Sequence, residues 1–292
     1  MKKAVGIPFP SKRYAPLNRC AYCDATEGLS EEHIIPLGLG GDLVLPRGSC
    51  ERHRKATCKV EDFVLRRYLC ALRSHLSLPS RRPHLRPDGY PLVLKRGRHS
   101  WKQKVNLADH PGIVRFVIFD PPGRVAGRPP VQETYSLRLT TTHIFPDINL
   151  RLARLGADGF EDKVNVNAMS LARVIAKIGH AFAIAELGVD AFEKTYLNGL
   201  ISDGSADWNY WVGGYDRGRE VQASELHELR FFKRGDDLSV IVHLFVPHCR
   251  RDAYEVIVGQ LRPNIALPQN LDEEIQLLGC QGSEGLHIQA AC

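Results

Sequence analysis

Apolar positions along the chain fall into a few distinct patterns. Between residues 54 and 76 they occur at Val60, Phe63, Val64, Tyr68, Leu69 and Leu72. Steps of three and four predict a helix, and Pro79 ends it. The segment 165–187 predicts a second helix, stopped by Gly188. It is apolar nearly all round, which marks a central buried helix. Lys177 and His180 share one face of it and read as basic groups snorkelling or hydrogen-bonded at the core edge. Short extended runs are predicted over Leu29–Ile35 and Asp42–Leu45, with Gly38, Gly40 and Gly41 forming a looped turn between them. Further strands are predicted over 113–119, 132–140, 229–233, 238–246 and 253–258. Helices and strands mix without a βαβ alternation or an internal repeat, so the fold class is α+β.

Composition narrows the reading. Hydrophobic residues make up 43% of the 292 positions and charged residues 25%. This excludes wholesale disorder, a collagen-like chain and a coiled coil. No unbroken apolar run reaches the ~18–20 residues that span a bilayer, so no membrane association is expected. The opening MKKAVGIPFPSKRY has no apolar stretch after its lysines. It therefore does not read as a signal peptide, and a reducing, cytoplasmic location is expected.

Charge is more telling by segment. Residues 51–104 hold fifteen Lys and Arg against four Asp and Glu, net +11, whereas residues 105–292 are net −6. Basicity so concentrated points to a polyanion, and nucleic acid is the usual one. Within it, Arg81, Arg82, Arg86, Lys95, Arg96 and Arg98 alternate with Tyr90, His99 and Trp101 among four prolines. Cations neutralise phosphates and aromatic rings stack on bases, so this stretch reads as a nucleic-acid-binding arm. The competing reading is a linker kept soluble by charge.

Four of the eight cysteines lie within 39 residues: Cys20, Cys23, Cys50 and Cys58. Cys20-Ala-Tyr-Cys23 is one knuckle and Cys50-Glu-Arg-His53 another. Two knuckles around a compact insert supply the four soft ligands that tetrahedral zinc requires. His53 fits the fourth place by spacing, and Cys58 is its rival. Cys70, Cys249, Cys280 and Cys292 are scattered and read as free thiols, the last two in a Gly/Gln/Ser-rich tail that reads as poorly ordered.

The order CxxC, then Ser30-Glu31-Glu32-His33-Ile34-Ile35-Pro36, then the Leu39-Gly40-Gly41 turn, then Ser49-Cys50-x-x-His53 and a helix, resembles the HNH endonucleases. These are the ββα-metal, or His-Me finger, nucleases in their zinc-knuckle variety, and the likeness covers about residues 18–65. It implies that His33 is the general base, that Glu32 binds a catalytic divalent ion (Mg2+ or Mn2+), and that Cys20, Cys23, Cys50 and His53 hold structural Zn2+. An imidazole suits the first role because its ordinary pKa is ~6.5, and a hard cation on oxygen ligands suits the phosphate. Strand neighbours point to opposite faces, so Glu32 and His33 serve one site only at a strand end or bulge. Two departures stand out. Residues 42–49 contain no asparagine, with Asp42 and Ser49 as stand-ins, and Arg54 occupies the place of the last His or Asn. Glu61, two turns after His53, is the candidate second ligand of the divalent ion.

The expected organisation is a zinc-containing HNH domain over 1–78, a basic Pro-rich linker over 79–108, and an α+β accessory domain over 109–292. That third part loosely resembles the C-terminal region of some bacterial and phage HNH proteins, through RVIAKIGHAFAIAELG and VIVHLFVP. It is the expected place for a homodimer contact or protein partner. The expected activity is metal-dependent hydrolysis of double-stranded DNA. The alternative is a catalytically inactive, zinc-finger-like nucleic-acid-binding or regulatory protein.

Overall fold

The computed structural model describes residues 8–131, 135–161, 166–205, 207–220, 222, 224–263, 265 and 267. Cys280, Cys292 and their tail lie outside these residues.

The chain opens with β1 (Ser11–Arg13), β2 (Leu29–His33), β3 (Asp42–Cys50), α1 (Glu51–Phe63) and α2 (Cys70–His75). Next come β4 (Gly89–Arg96), β5 (His99–Asn106), β6 (Ile113–Phe119), β7 (Leu137–His143), α3 (Ile148–Arg154) and β8 (Gly159–Glu161). It continues with α4 (Ala168–Leu187), β9 (Phe192–Thr195), α5 (Asn198–Ser202), α6 (Trp208–Trp211), β10 (Val212–Asp216), β11 (His227–Arg234), β12 (Asp237–Leu244) and β13 (Asp252–Leu261). The class is α+β, as expected.

β2 and β3 pair antiparallel, and β1, which the sequence pattern did not predict, adds to β3 in parallel. Ser30 faces Ser49 but Glu32 faces Leu45, so three residues of β3 (Pro46–Gly48) oppose one of β2. This bulge is used. The carbonyl of Pro46 accepts from Leu17 N–H, and that of Gly48 from Ala21 N–H, which ties down the loop carrying the first knuckle. Gly41 has no substitute, because a Cβ there would lie 2.0 Å from the Ile35 carbonyl oxygen. The helix predicted over 54–76 begins earlier, at Glu51, directly after Cys50. It is broken by a wider π turn over Val64–Tyr68. The Arg73 guanidinium satisfies the Leu65 carbonyl in that turn. Tyr68, displaced by the turn, donates to Arg115 O and accepts from Val117 N–H on β6.

The basic stretch expected as a linker is a hairpin instead. β4 and β5 pair along their whole length, with Gly97 and Arg98 as the turn, and β8 covers the other edge of β4 at Val93–Lys95. Pro91 lies outside that β8-paired portion, where its missing N–H costs nothing. Leu92, Leu94 and Val105 form a small core of their own with Leu152 and Ala157. The apolar run Leu92–Leu94 ahead of the Gly97 turn was the available signal, and Pro91 beside it masked it.

β6 and β7 form a two-stranded ribbon, β6 over the range predicted. β10, β13, β12 and β11 form an antiparallel sheet in that order, with β9 added to β13. α4 packs across it, close enough that a Cβ on Gly179 would come within 2.9 Å of Val256. By length and composition α4 does reach the threshold for crossing a membrane, but 78% of that window is buried inside the protein. Its apolarity is that of a core helix. Lys177 is not at the core edge: it is fully buried, as is His180.

One hydrophobic cluster runs from Tyr14, Tyr22, Ile34 and Leu72 to Ile178, Val242 and Val258. The two-knuckle region and the larger sheet thus share a core across the expected 79–108 boundary. Calorimetry should accordingly record one main unfolding transition, moved as a whole by zinc chelation; two transitions that respond separately would show independent cores.

Candidate metal centre and the adjoining acid pair

Cys20, Cys23, Cys50 and His53 come together with their ligand atoms all within 4.8 Å of one another. Tetrahedral zinc, with Zn–S near 2.3 Å and Zn–N near 2.0 Å, requires ligand–ligand edges of about 3.5–3.8 Å. Three of the six edges lie near this range. Cys23 Sγ to Cys50 Sγ is 3.9 Å, Cys20 Sγ to His53 Nδ1 is 3.5 Å, and Cys50 Sγ to His53 Nδ1 is 3.2 Å. Cys58 points outward on α1 and takes no part. The sequence rivalry for the fourth place is therefore settled for His53.

The ring of His53 is fixed in the tautomer a metal needs. Ser202 Oγ donates to the Asn198 carbonyl at 2.7 Å, so toward His53 it is an acceptor. His53 Nε2 lies 2.9 Å from that oxygen and must carry the proton. Nδ1 is then left with its lone pair facing the sulfurs. Without a cation, burial pushes the Cys20 thiol up to about 12. A divalent ion reverses this by stabilising the thiolate. The donor set and its geometry fit zinc, which would brace the knuckle loop against the start of α1.

The ring of Tyr22, inside the first knuckle, lies between those of His53 and His180, 5.4 Å from each. His180 Nε2 donates to the Ala21 carbonyl at 2.8 Å. Tyr22 carries its buried hydroxyl from this clamp toward a second cluster. Burial first, then Glu32 and Glu61, hold its pKa well above normal.

In that second cluster Lys177 Nζ lies 2.6 Å from Glu32 Oε1 and 3.0 Å from Glu61 Oε1. It also donates to the main-chain carbonyls of His33 and, at 3.3 Å, Ile34. Four oxygens surround one ammonium. Burial alone pulls the Lys177 pKa down, but the two carboxylates more than reverse this and keep it charged. Glu61 is pushed upward by burial, against the pull of Lys177. Glu32 and Glu61, expected to share a divalent ion, thus do converge, but on a lysine from α4. Sequence reading missed this role. The signal available was a lysine on an otherwise apolar, buried helix.

His33 ends β2, next to the bulge, so both conditions for Glu32 and His33 to serve one place are present. Its side chain is half-buried, and Nδ1 is buried with no hydrogen-bond partner. Burial and then Lys177 hold its pKa below 6.5 against the opposing pull of Glu32 and Glu31; Arg81 adds to the lowering. Neither stand-in for the missing asparagine reaches it. Asp42 accepts from Ser11, and the Ser49 hydroxyl is buried without a partner. Arg54 forks onto Glu51 at 2.8 Å through two nitrogens.

The basic residues divide. Arg81, Arg82, Arg96 and Arg98 are exposed. Lys95 pairs with Glu161, and Arg86 donates to the Leu78 carbonyl. Arg81 is the one whose charge reaches both His33 and Glu61. A cleft of about 750 Å3 beside Ser202 is lined in part by Lys59, Arg66, Arg67 and Arg173.

No protein-family model matches this chain, and neither a curated protein nor a solved structure shows significant similarity to it. The metal assignment rests on the donor set itself. It predicts one zinc per chain by elemental analysis, lost in Cys50→Ser and kept in Cys58→Ser. Ser202→Ala should weaken zinc binding about 10–100-fold in competition with a chromophoric chelator, because the ring loses its orienting acceptor.

Proposed function

We propose that this protein is an HNH-type hydrolase of nucleic-acid phosphodiesters, with His33 as the general base and a structural zinc in the Cys20, Cys23, Cys50, His53 clamp. The observation that carries the reading is the setting of His33. It is a half-buried imidazole with an unpartnered Nδ1, kept neutral near pH 7, at the edge of a buried charge cluster. An exposed arginine, Arg81, stands near it. In the proposed reaction His33 takes a proton from water, the water oxygen bonds to phosphorus, and the P–O bond to the leaving sugar oxygen breaks. That oxygen takes its proton from solvent. Arg81 would draw the phosphate in, and Arg82, Arg96 and Arg98 on the hairpin side would neutralise further phosphates. Double-stranded DNA is the substrate the resemblance favours.

The expected Mg2+ or Mn2+ does not fit between Glu32 and Glu61 as they stand, because the Lys177 ammonium is bonded to both. The same observation favours a second reading, a zinc-braced nucleic-acid-binding protein that does not cut.

Supercoiled-plasmid nicking separates the two. Cleavage by the wild type that falls by about 10²–10⁴ in His33→Ala, with DNA binding retained, supports the hydrolase. Binding without nicking in both proteins supports the second reading. For the hydrolase, His33 must be unprotonated. Since burial and Lys177 depress its pKa, the acid limb of the rate profile should lie below 6.5. A limb at or above that value would exclude His33 as the base. Neutralising Arg81 should reduce both binding and its salt dependence.

A further inference from the structure

We infer that Lys177 is the resident cation of the Glu32–Glu61 site: its ammonium stands where a divalent ion would bind and makes that ion unnecessary. Three observations converge. First, Nζ has the surroundings of a hard cation, with two carboxylate oxygens at 2.6 and 3.0 Å and two main-chain carbonyls. An ammonium has three protons and no room for further ligands once these are used. Second, the site is closed on all but one side. Lys177 is 2% exposed, Glu32 4% and Tyr22 2%, and only the Glu61 side chain is partly exposed, at 18%. A divalent ion would have to eject a lysine held on the rigid central helix. Third, the buried Tyr22 hydroxyl stands close to Glu32 and Glu61, so protein atoms line that side of the site as well.

Lys177 is a positioning residue in this account. It touches no substrate. It fixes the end of β2 through the His33 carbonyl, and its charge helps keep the His33 ring neutral. Sequence spacing places this lysine 116 residues after Glu61, in a part of the chain with no counterpart in the finger itself.

The test is metal binding, which does not depend on whether the protein cuts. Zinc-loaded full-length protein is titrated with Mn2+, and free Mn2+ is followed by its electron paramagnetic resonance signal. The wild type should leave Mn2+ free. Lys177→Ala should bind Mn2+ stoichiometrically and gain melting temperature from it. Lys177→Ala combined with Glu61→Gln should lose that binding. Mn2+ bound by the wild type and released in Glu61→Gln would overturn the inference. So would a folded, zinc-containing Lys177→Ala protein that ignores Mn2+. If Lys177→Ala does not fold, the wild-type and Glu61→Gln titrations still decide. The inference builds on the hydrolase reading in one further respect. Where the wild type nicks DNA, adding or withdrawing Mg2+ should change the rate by less than about twofold; a tenfold requirement for Mg2+ would overturn it. Absence of nicking would count against the hydrolase reading alone.

Discussion

The Lys177 ammonium is the contact on which the arrangement of the finger depends. Two carboxylates, one of them nearly inaccessible, are brought under a protein surface where bare charge is expensive. Removing one member of such a buried set typically costs about 3–5 kcal/mol, because the partners are left uncompensated. Here the cation arrives from α4, which belongs to the body of the molecule. The charge cluster therefore does two things at once. It neutralises Glu32 and Glu61, and it binds the end of β2 to the central helix. His180 repeats the tactic on the knuckle loop, donating to the Ala21 carbonyl. His227, on β11, repeats it on the turn between β2 and β3, donating to Leu39 O at 2.7 Å while its Nδ1 accepts from Phe245 N–H. Three buried basic side chains from the body each satisfy main-chain carbonyls of the finger that would otherwise be orphaned.

This mode of attachment explains why zinc alone need not carry the finger. A unit of some fifty residues buries too little apolar surface to be stable by itself, and a metal is the usual remedy. In this protein the apolar surface of the finger is merged into the larger core through Ile34, Leu39, Val60 and Leu72. The clamp is then left with a narrower role. It sets the knuckle loop against the first turn of α1 and fixes the ring of His53. That ring is in turn held from outside by Ser202, so even the metal ligand's orientation depends on α5.

The sequence exposed local features well and distant ones poorly. The two knuckles were legible because ligand spacing is a local geometric requirement. The range of β6 and the stop of α4 at Gly188 were legible from periodicity and conformational preference. The extended run at Leu29 was legible too, but its end at His33, two residues short of Ile35, and the bulge in β3 opposite Glu31 were not. What escaped has a common cause. β1 pairs with a strand thirty residues away, and its three exposed residues carry no periodic signal. The hairpin over 89–106 was hidden because its outward face is basic and its start is rich in proline. Lys177 looked like a residue that ought to reach for water, since nothing within its own helix could neutralise it. Its two partners lie in a segment that pattern reading treated as a separate unit.

The departures from the HNH pattern become intelligible together once Lys177 is counted in the site. A divalent ion on a strand and a helix needs several ligands, so a His or Asn at the start of α1 would be under strong demand. An ammonium supplied from outside the finger needs no ligand there. Position 54 is then free to be arginine, and it is used locally, forked onto Glu51 at the helix start. The asparagine that would orient the histidine through backbone contacts is absent as well. In its place the His33 carbonyl is held directly by the lysine. Both positions lie where a resident cation would remove the need for the residue the pattern expects, and Glu32 and Glu61 are the acids that bind the ammonium. The glutamates and the lysine are one unit, and the His33 ring lies beside it, its pKa lowered first by its own burial and then by the Lys177 charge.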